Sequence, residues 1–354
     1  MDVTIYLADQ NPHRDRSLGI TQMTLGLLGE LGKRPSLHLR TLGSKSSAPF
    51  EVEGVDQHRL PWSTDHGLGR LLADHLHPVL HRPQSDLWYY PKGYLSRLAR
   101  PRAKTVITMH DMILQHYVDH YPTARSKANY TYWLGLAADS LRRADRILTI
   151  SKNAEQQIRD FCERRKFQPP PIQVTYEACS FEHLHPDETP KEDYVLHLYS
   201  DAPHKKSAML LDWWQTPGDL PPLHLVGKDR PGPDRVHSLP FLDRETLIQV
   251  IRKARALVLP SEIEGFGLPG LEAYFLGTPV VYAAGTAVDE ILGVGTDKGR
   301  FTLDERESFQ QALDEVLAMD EGEVRAVGTT LRERFSWERF GNAVLEGFAA
   351  ALRT

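Results

Sequence analysis

The chain has 354 residues, 41% of them hydrophobic and 25% charged, with a formal net charge of −5. That is the composition of a globular protein, and the length exceeds one hydrophobic core, so two domains are expected. The charge is uneven: 24 Lys+Arg against 21 Asp+Glu over residues 1–188, and 18 against 26 over 189–354, hence +3 and −8, which argues against nucleic acid as the main partner.

No apolar stretch approaches the roughly 20 residues that a spanning helix needs. The opening MDVTIYLADQ has no basic segment ahead of an apolar one, so the expected location is cytoplasmic. Cys162 and Cys179 offer neither a disulfide framework nor a Cys-x-x-Cys pair, and the pairs His75/His77 and His183/His185 lack cysteine neighbours, so no metal site is expected.

Nearly continuous apolar runs at residues 4–7, 37–42, 87–90, 105–109, 147–150 and 172–176 read as buried strands. Helix-length segments at 19–31, 124–143 and 152–165 separate them, the last with Ser151 as its N-cap. This alternation predicts a parallel α/β sheet. The basic stretch Lys92, Arg97, Arg100, Arg102 and Lys104 reads as a solvated face.

HLHPDETPKED then combines Pro and acidic residues without apolar periodicity, as an exposed linker does, and places the first domain at 1–188. A second series has strands at 194–199, 223–226, 256–259 and 279–282 and helices near 205–214, 244–253, 268–276 and 305–317. It predicts a second Rossmann-like domain over 189–335. Residues 336–354 form one amphipathic helix, capped by Ser336 and apolar at Phe340, Val344, Phe348 and Leu352.

Two such domains bind ligands at the carboxyl ends of their strands. After the strand at 256–259 comes PSEIEGFGLPGLEAYFLGTPVV, in which Gly265 and Gly267 flank Phe266 and a helix starts near Leu268 with free N–H groups suited to a phosphate. Glu264 lies on the loop and Glu272 a turn inside the helix. As carboxylates they accept hydrogen bonds, which suits sugar or ribose hydroxyls.

EGFGLPGLE followed by GTPVV resembles the E-x7-E signature of the family 4 retaining glycosyltransferases. VLHLYSDAPHKK, TVITMHDM, RADRILTISKNAEQQI and FSWERF resemble further blocks of that family, while the first hundred residues match weakly. The resemblance implies a GT-B fold, with two Rossmann-like domains facing across a cleft and a C-terminal helix returning to the first. It also implies sugar transfer with retention from a nucleoside-diphosphate sugar, UDP- or GDP-linked, to a saccharide, lipid-linked or small-molecule acceptor in polysaccharide or glycoconjugate synthesis. No cofactor or metal is implied, and membrane contact is at most peripheral, at the inner face.

Carried over by position, the family places Glu264 on the donor sugar, Glu272 on the ribose, and the backbone around Gly265, Phe266, Gly267 and Leu268 against sugar and diphosphate. Lys205 would neutralise the departing diphosphate, and His110 would face the donor. Ser200 stands where many members have an Arg, so Lys206, His204 or Lys228 is the candidate substitute. Gly19, Asp111 and Tyr90 are the acceptor-side candidates. A catalytically silent nucleotide-sugar-binding protein is the competing reading, and Ser200 is the feature that favours it.

Overall fold

The computed structural model describes residues 1–10, 18–45, 52–65, 67–80, 84–215, 220–227 and 235–353, and the side chains of Leu18 and Leu80 lie outside the description. The chain divides into two compact units: Met1–Ser180 with Ser336–Thr354, and Phe181–Phe335. Each is an α/β unit on a parallel sheet.

The first unit has strands β1 (Asp2–Tyr6), β2 (His38–Gly43), β3 (Val55–Arg59), β4 (Leu87–Tyr90), β5 (Lys104–Thr108), β6 (Arg146–Thr149) and β7 (Ile172–Val174) in the order β3-β2-β1-β4-β5-β6-β7. All neighbouring pairs are parallel. Chain order reverses between β1 and β4, so their outgoing loops diverge at that point and leave a crevice. Apart from the first residues Asp2, Lys104 and Arg146, the strands of the sheet's middle are buried, LWYY of β4 entirely so, because helices cover both faces of such sheets.

Those helices are α1 (Leu18–Gly32), α2 (Gly67–Leu80), α3 (Ile113–His120), α4 (Lys127–Arg143) and α5 (Lys152–Arg164). The segment expected as one helix over 124–143 starts at the Ser126 cap, whose side chain accepts from Asn129 N–H. Ser151 caps α5 in the same way, through Ala154 N–H, as the sequence predicts.

The second unit has β8 (Val195–Leu198), β9 (Leu223–Val226), β10 (Val236–Leu239), β11 (Ala256–Leu259), β12 (Val280–Ala283) and β13 (Arg300–Phe301), ordered β10-β9-β8-β11-β12-β13. Its helices are α6 (Ser207–Gln215), α7 (Arg244–Lys253), α8 (Leu268–Phe275), α9 (Ala287–Leu292), α10 (Arg306–Leu317) and α11 (Glu321–Arg334). Here the order reverses between β8 and β11.

The unit boundary falls at Ser180/Phe181 rather than after residue 188. The acidic, proline-containing segment, expected as an exposed linker, is exposed or half-exposed over residues 183–193, and arginines of the second unit collect the backbone at its start. Arg332 donates to Glu182 O and Leu184 O at 3.0 and 2.8 Å, and Arg252 to His185 O at 2.9 Å. The Phe181 ring lies under the Arg244 guanidinium.

The last helix, α12 (Trp337–Arg353), joins the core of the first unit: Phe340, Val344, Phe348 and Ala351 pack with Val3, Ile5, Leu27, Leu31 and Tyr89. Trp337 lies against Gly26 of α1, where a Cβ would come within 2.1 Å of the indole. Leu352, expected on the buried stripe, is exposed, and Ala351 takes its place. A four-residue repeat advances about 400° per step on a helix of 3.6 residues per turn, so over three steps the stripe drifts by roughly one residue.

The Phe348 ring meets Tyr89 edge-on at 5.1 Å. Phe348→Ala is expected to cost the first unit about 3–5 kcal/mol. Urea titration followed by fluorescence and circular dichroism should show an earlier transition for that unit with the second unit's transition unmoved; coincident transitions at the wild-type midpoint refute this.

Candidate functional site

In the second unit the candidate residues gather at the β8/β11 switch point. Beyond β8 the chain makes a turn of 3-10 helix over Pro203–Lys205, and Lys206 follows in the left-handed region at φ 51° before α6 begins. Beyond β11 the chain runs through Ser261 to Gly267 and into α8. Three links tie the two loops. Glu262 N–H donates to His204 O at 2.9 Å, Lys206 pairs with Glu262 at 2.9 Å, and Lys205 donates to Glu264 Oε1 at 2.5 Å.

A buried histidine absent from the sequence analysis supports this arrangement. His197 Nδ1 is 2.9 Å from Val258 O, and because a carbonyl only accepts, Nδ1 carries the proton. Nε2 therefore accepts from the Ser207 hydroxyl at 2.7 Å, and the same Oγ accepts Ser200 N–H at 3.2 Å. Burial pushes the His197 pKa down to about 4, so it stays neutral and fixes β8, β11 and the Lys205 loop in one register.

Gly267 has φ 108° and is the N-cap of α8; a Cβ there would lie 2.7 Å from Val288 Cγ2. Phe266 turns into the core, edge-on to Phe335 at 5.7 Å, so its backbone and not its ring remains for a ligand. Glu272, in the second turn of α8, makes no hydrogen bond or ion pair among the described residues. Burial pushes its carboxyl up to about 7, with only Arg244 opposing. A partly buried carboxylate without a partner is what an enclosed hydroxyl ligand would satisfy.

Ser200 has its N–H held by Ser207, while its Oγ accepts Ala202 N–H at 3.2 Å. Of the substitutes named for the missing arginine, Lys206 is engaged by Glu262, His204 is buried, and Lys228 lies outside the described residues.

In the first unit, His110 Nε2 donates to Pro91 O at 2.8 Å, which leaves Nδ1 as the lone-pair nitrogen. Burial, with Lys92 nearby, holds its pKa down at about 4. Asp111 lies one residue before the Met112 N-cap of α3 and accepts Ile113 N–H at 2.9 Å. Gly19 is exposed at the start of α1 with open space about it. Tyr90, the third acceptor-side candidate, is 1% exposed within the wholly buried β4, and its hydroxyl donates to His77 Nε2 at 3.0 Å.

Two parallel-sheet α/β units with loop residues converging at a switch point define the GT-B fold of glycosyltransferases. Sucrose-phosphate synthase from Thermosynechococcus elongatus aligns at a TM-score of 0.71 and 18% identity over 99% of this chain and 98% of that one. Anabaena HepE, solved in complex with UDP and glucose, aligns at 0.69 and 16% identity over 99% and 100%.

The family model described as Glycosyltransferase Family 4 matches residues 19–176, and that described as Glycosyl transferases group 1 matches residues 227–335. The two models together match 158 and 109 of the chain's 354 residues, and over these stretches the chain is similar to the family 4 glycosyltransferases. D-inositol 3-phosphate glycosyltransferase of Mycolicibacterium vanbaalenii is 33% identical over 119 residues, 34% of this chain and 26% of that protein. The serotype-specific mannosyltransferase WbdA of Escherichia coli is 24% identical over 285 residues, 71% of this chain and 34% of that protein. The matches thus cover about a quarter to a third of the length of these relatives. No helix among the described residues is long and apolar enough to cross a membrane.

Glu177, also absent from the sequence analysis, is 4% exposed, and burial with the Asp111 charge nearby pushes its carboxyl up to about 8. Folded protein then keeps a proton that unfolded protein loses near pH 4.5, so this residue lowers stability progressively as pH rises from there to about 8. Glu177→Gln is expected to raise the melting temperature by an increment that grows between pH 5 and pH 8. Calorimetric melts at the two pH values check it; an equal increment at both would place the ordinary carboxylate pKa there.

Proposed function

We propose that the protein is a retaining glycosyltransferase that uses a nucleoside-diphosphate sugar, and the observation that carries this is EGFGLPGLE with Glu264 paired to Lys205 and Glu272 left unpartnered. Glu264 accepts hydrogen bonds from hydroxyls of the donor sugar, and Glu272 accepts from the ribose. The first-turn N–H groups of α8 face the diphosphate, following Gly265, Phe266, Gly267 and Leu268.

Lys205 then supplies positive charge to the diphosphate as it departs. Glu264 holds that ammonium in place beforehand, so its reorganisation is small when the sugar bond breaks. On the acceptor side the transferred group goes to a hydroxyl, and the leaving phosphate takes the hydroxyl proton while the new bond forms on the same face. The lone-pair nitrogen of neutral His110 accepts a hydrogen bond from a ligand hydroxyl. No metal takes part in this scheme, the location is cytoplasmic, and the product belongs to polysaccharide or glycoconjugate synthesis.

Glu272→Ala is expected to weaken nucleoside diphosphate binding by about 1.5–3 kcal/mol, the loss of a charged hydrogen-bond acceptor. Since Glu272 must be ionised to accept from both hydroxyls and titrates near 7, wild-type affinity should gain on that of Glu272→Gln from pH 6 to pH 8. Calorimetric titration of both proteins with UDP, GDP and ADP measures this; parallel pH profiles would remove Glu272 from the site.

A panel of nucleotide sugars, assayed in EDTA for donor hydrolysis, tests the activity itself. Turnover of at least one donor is expected; binding without turnover is the outcome of the silent-binder reading, which Ser200 favours. With the active donor, Lys205→Ala should lower kcat by roughly 10²- to 10³-fold and change KM less. Unaltered kcat and KM would assign the diphosphate to another cation.

A further inference from the structure

We propose that the first unit carries, at its own switch point between β1 and β4, a subsite for vicinal hydroxyls of an uncharged polyol, a sugar ring or cyclitol, held by Asp9, Gln10 and Lys92. The proposal names the acceptor class for the transferase read above and rests on that reading only in calling this ligand the acceptor.

Asp9 and Gln10 leave the carboxyl end of β1 through a turn closed by Gln10 N–H on Leu7 O at 2.9 Å. Gln10 is 4% exposed, and neither its amide oxygen nor its amide nitrogen has a hydrogen-bond partner; Asp9 Oδ1 is likewise buried and unpartnered. Among the described residues Gln10 is the one side chain with both polar atoms in that condition. Buried polar groups in native proteins are paired in all but a few cases, so three orphaned atoms on adjacent residues at a ligand-binding position need a cause.

Lys92 follows β4 and donates to Asp9 O at 3.1 Å, and Arg70 of α2 reaches the same carbonyl at 3.4 Å. Arg70 also pairs with Asp74, whose other oxygen accepts from Tyr6 OH at 3.0 Å. The Lys92 ammonium has no carboxylate within ion-pair distance among the described residues, so two of its three N–H groups remain for a ligand.

These functional groups match a diol. A hydroxyl is both donor and acceptor: one can donate to Asp9 while accepting from Lys92, and its neighbour can exchange both kinds of hydrogen bond with the Gln10 amide. Among the described residues two carboxylates, Asp9 and Asp74, face two cations, Arg70 and Lys92, so this part of the cluster is formally neutral and favours an uncharged ligand over a phosphorylated one. Burial keeps the Asp9 carboxyl near 6, with Lys92 opposing and Asp74 adding to the shift, so at neutral pH it is mostly the acceptor that a hydroxyl needs. Lys92 also acts electrostatically on His110, which places the subsite beside the first unit's other candidate residue.

The test is saturation-transfer NMR on the full chain without donor, using glucose, mannose and myo-inositol as probes and glucose 6-phosphate as the charged comparison. At least one neutral probe should bind, with glucose 6-phosphate no tighter. Asp9→Asn and Gln10→Met should each weaken that probe about tenfold or more. Both variants should melt at or above the wild-type temperature, because Asp9→Asn removes a charge that burial disfavours and Gln10→Met an amide that nothing satisfies in the free protein.

Absence of binding by every neutral probe, unchanged affinity in both variants, or tighter binding of the phosphate overturns the proposal. So does a variant that melts lower or fails to fold, which would make its group a packing element. Nucleoside diphosphate binding, measured in parallel, reports on the second unit and separates this outcome from failure of the transferase reading.

Discussion

At φ 108°, Gly267 occupies a backbone region closed to side-chain-bearing residues, with Val288 filling the space a Cβ would need. Before it the chain buries Phe266 against Phe335; after it α8 begins at once with Pro269 in its first turn. That reversal separates Glu264 on the loop from Glu272 in the helix while directing both to the carboxyl side of β11. The loop it ends is joined to the β8 loop by the Lys205–Glu264 and Lys206–Glu262 pairs, so the position of one glycine governs four charged side chains.

The charges divide into two kinds. Glu262 and Glu264 have ammonium partners and are thereby held in place. Glu272, Glu177 and Asp9 sit with their ionised forms disfavoured by burial, and their carboxyls titrate well above the usual range. Unsatisfied carboxylates lower the stability of the free protein. Glu272 and Asp9 both lie where a sheet's strand order reverses or on the helix that follows, which is where a ligand can compensate that cost.

Legibility in the sequence followed burial. Apolar runs such as LWYY and ALVL gave their strands directly, and EGFGLPGLE gave the loop, the start of α8 and the positions of both glutamates. β3 escaped because it is an exposed edge strand of sequence VDQHR, without apolar alternation to read. α2 escaped because its apolar residues are split: Ala73 is buried while Leu68, Leu71, Leu72 and Val79 face solvent. Partnerships between distant segments, such as His197 with Ser207 and Val258 or Lys205 with Glu264, depend on which strands become neighbours. No local pattern records that. The burial of Tyr90 is equally unrecorded, since an aromatic at a strand end can point either into the sheet's cover or out of its edge.

The crossing of the chain back to its starting unit has a consequence for biosynthesis. Residues 181–335 are contiguous and contain all the strands of the second sheet, so that unit can close as soon as it leaves the ribosome. The first unit is made earlier but lacks Phe340, Val344, Phe348 and Ala351 until the second unit has been made in full. For the whole of that interval, one apolar face of its sheet and of α1 stands uncovered, and the part synthesised first is the part completed last.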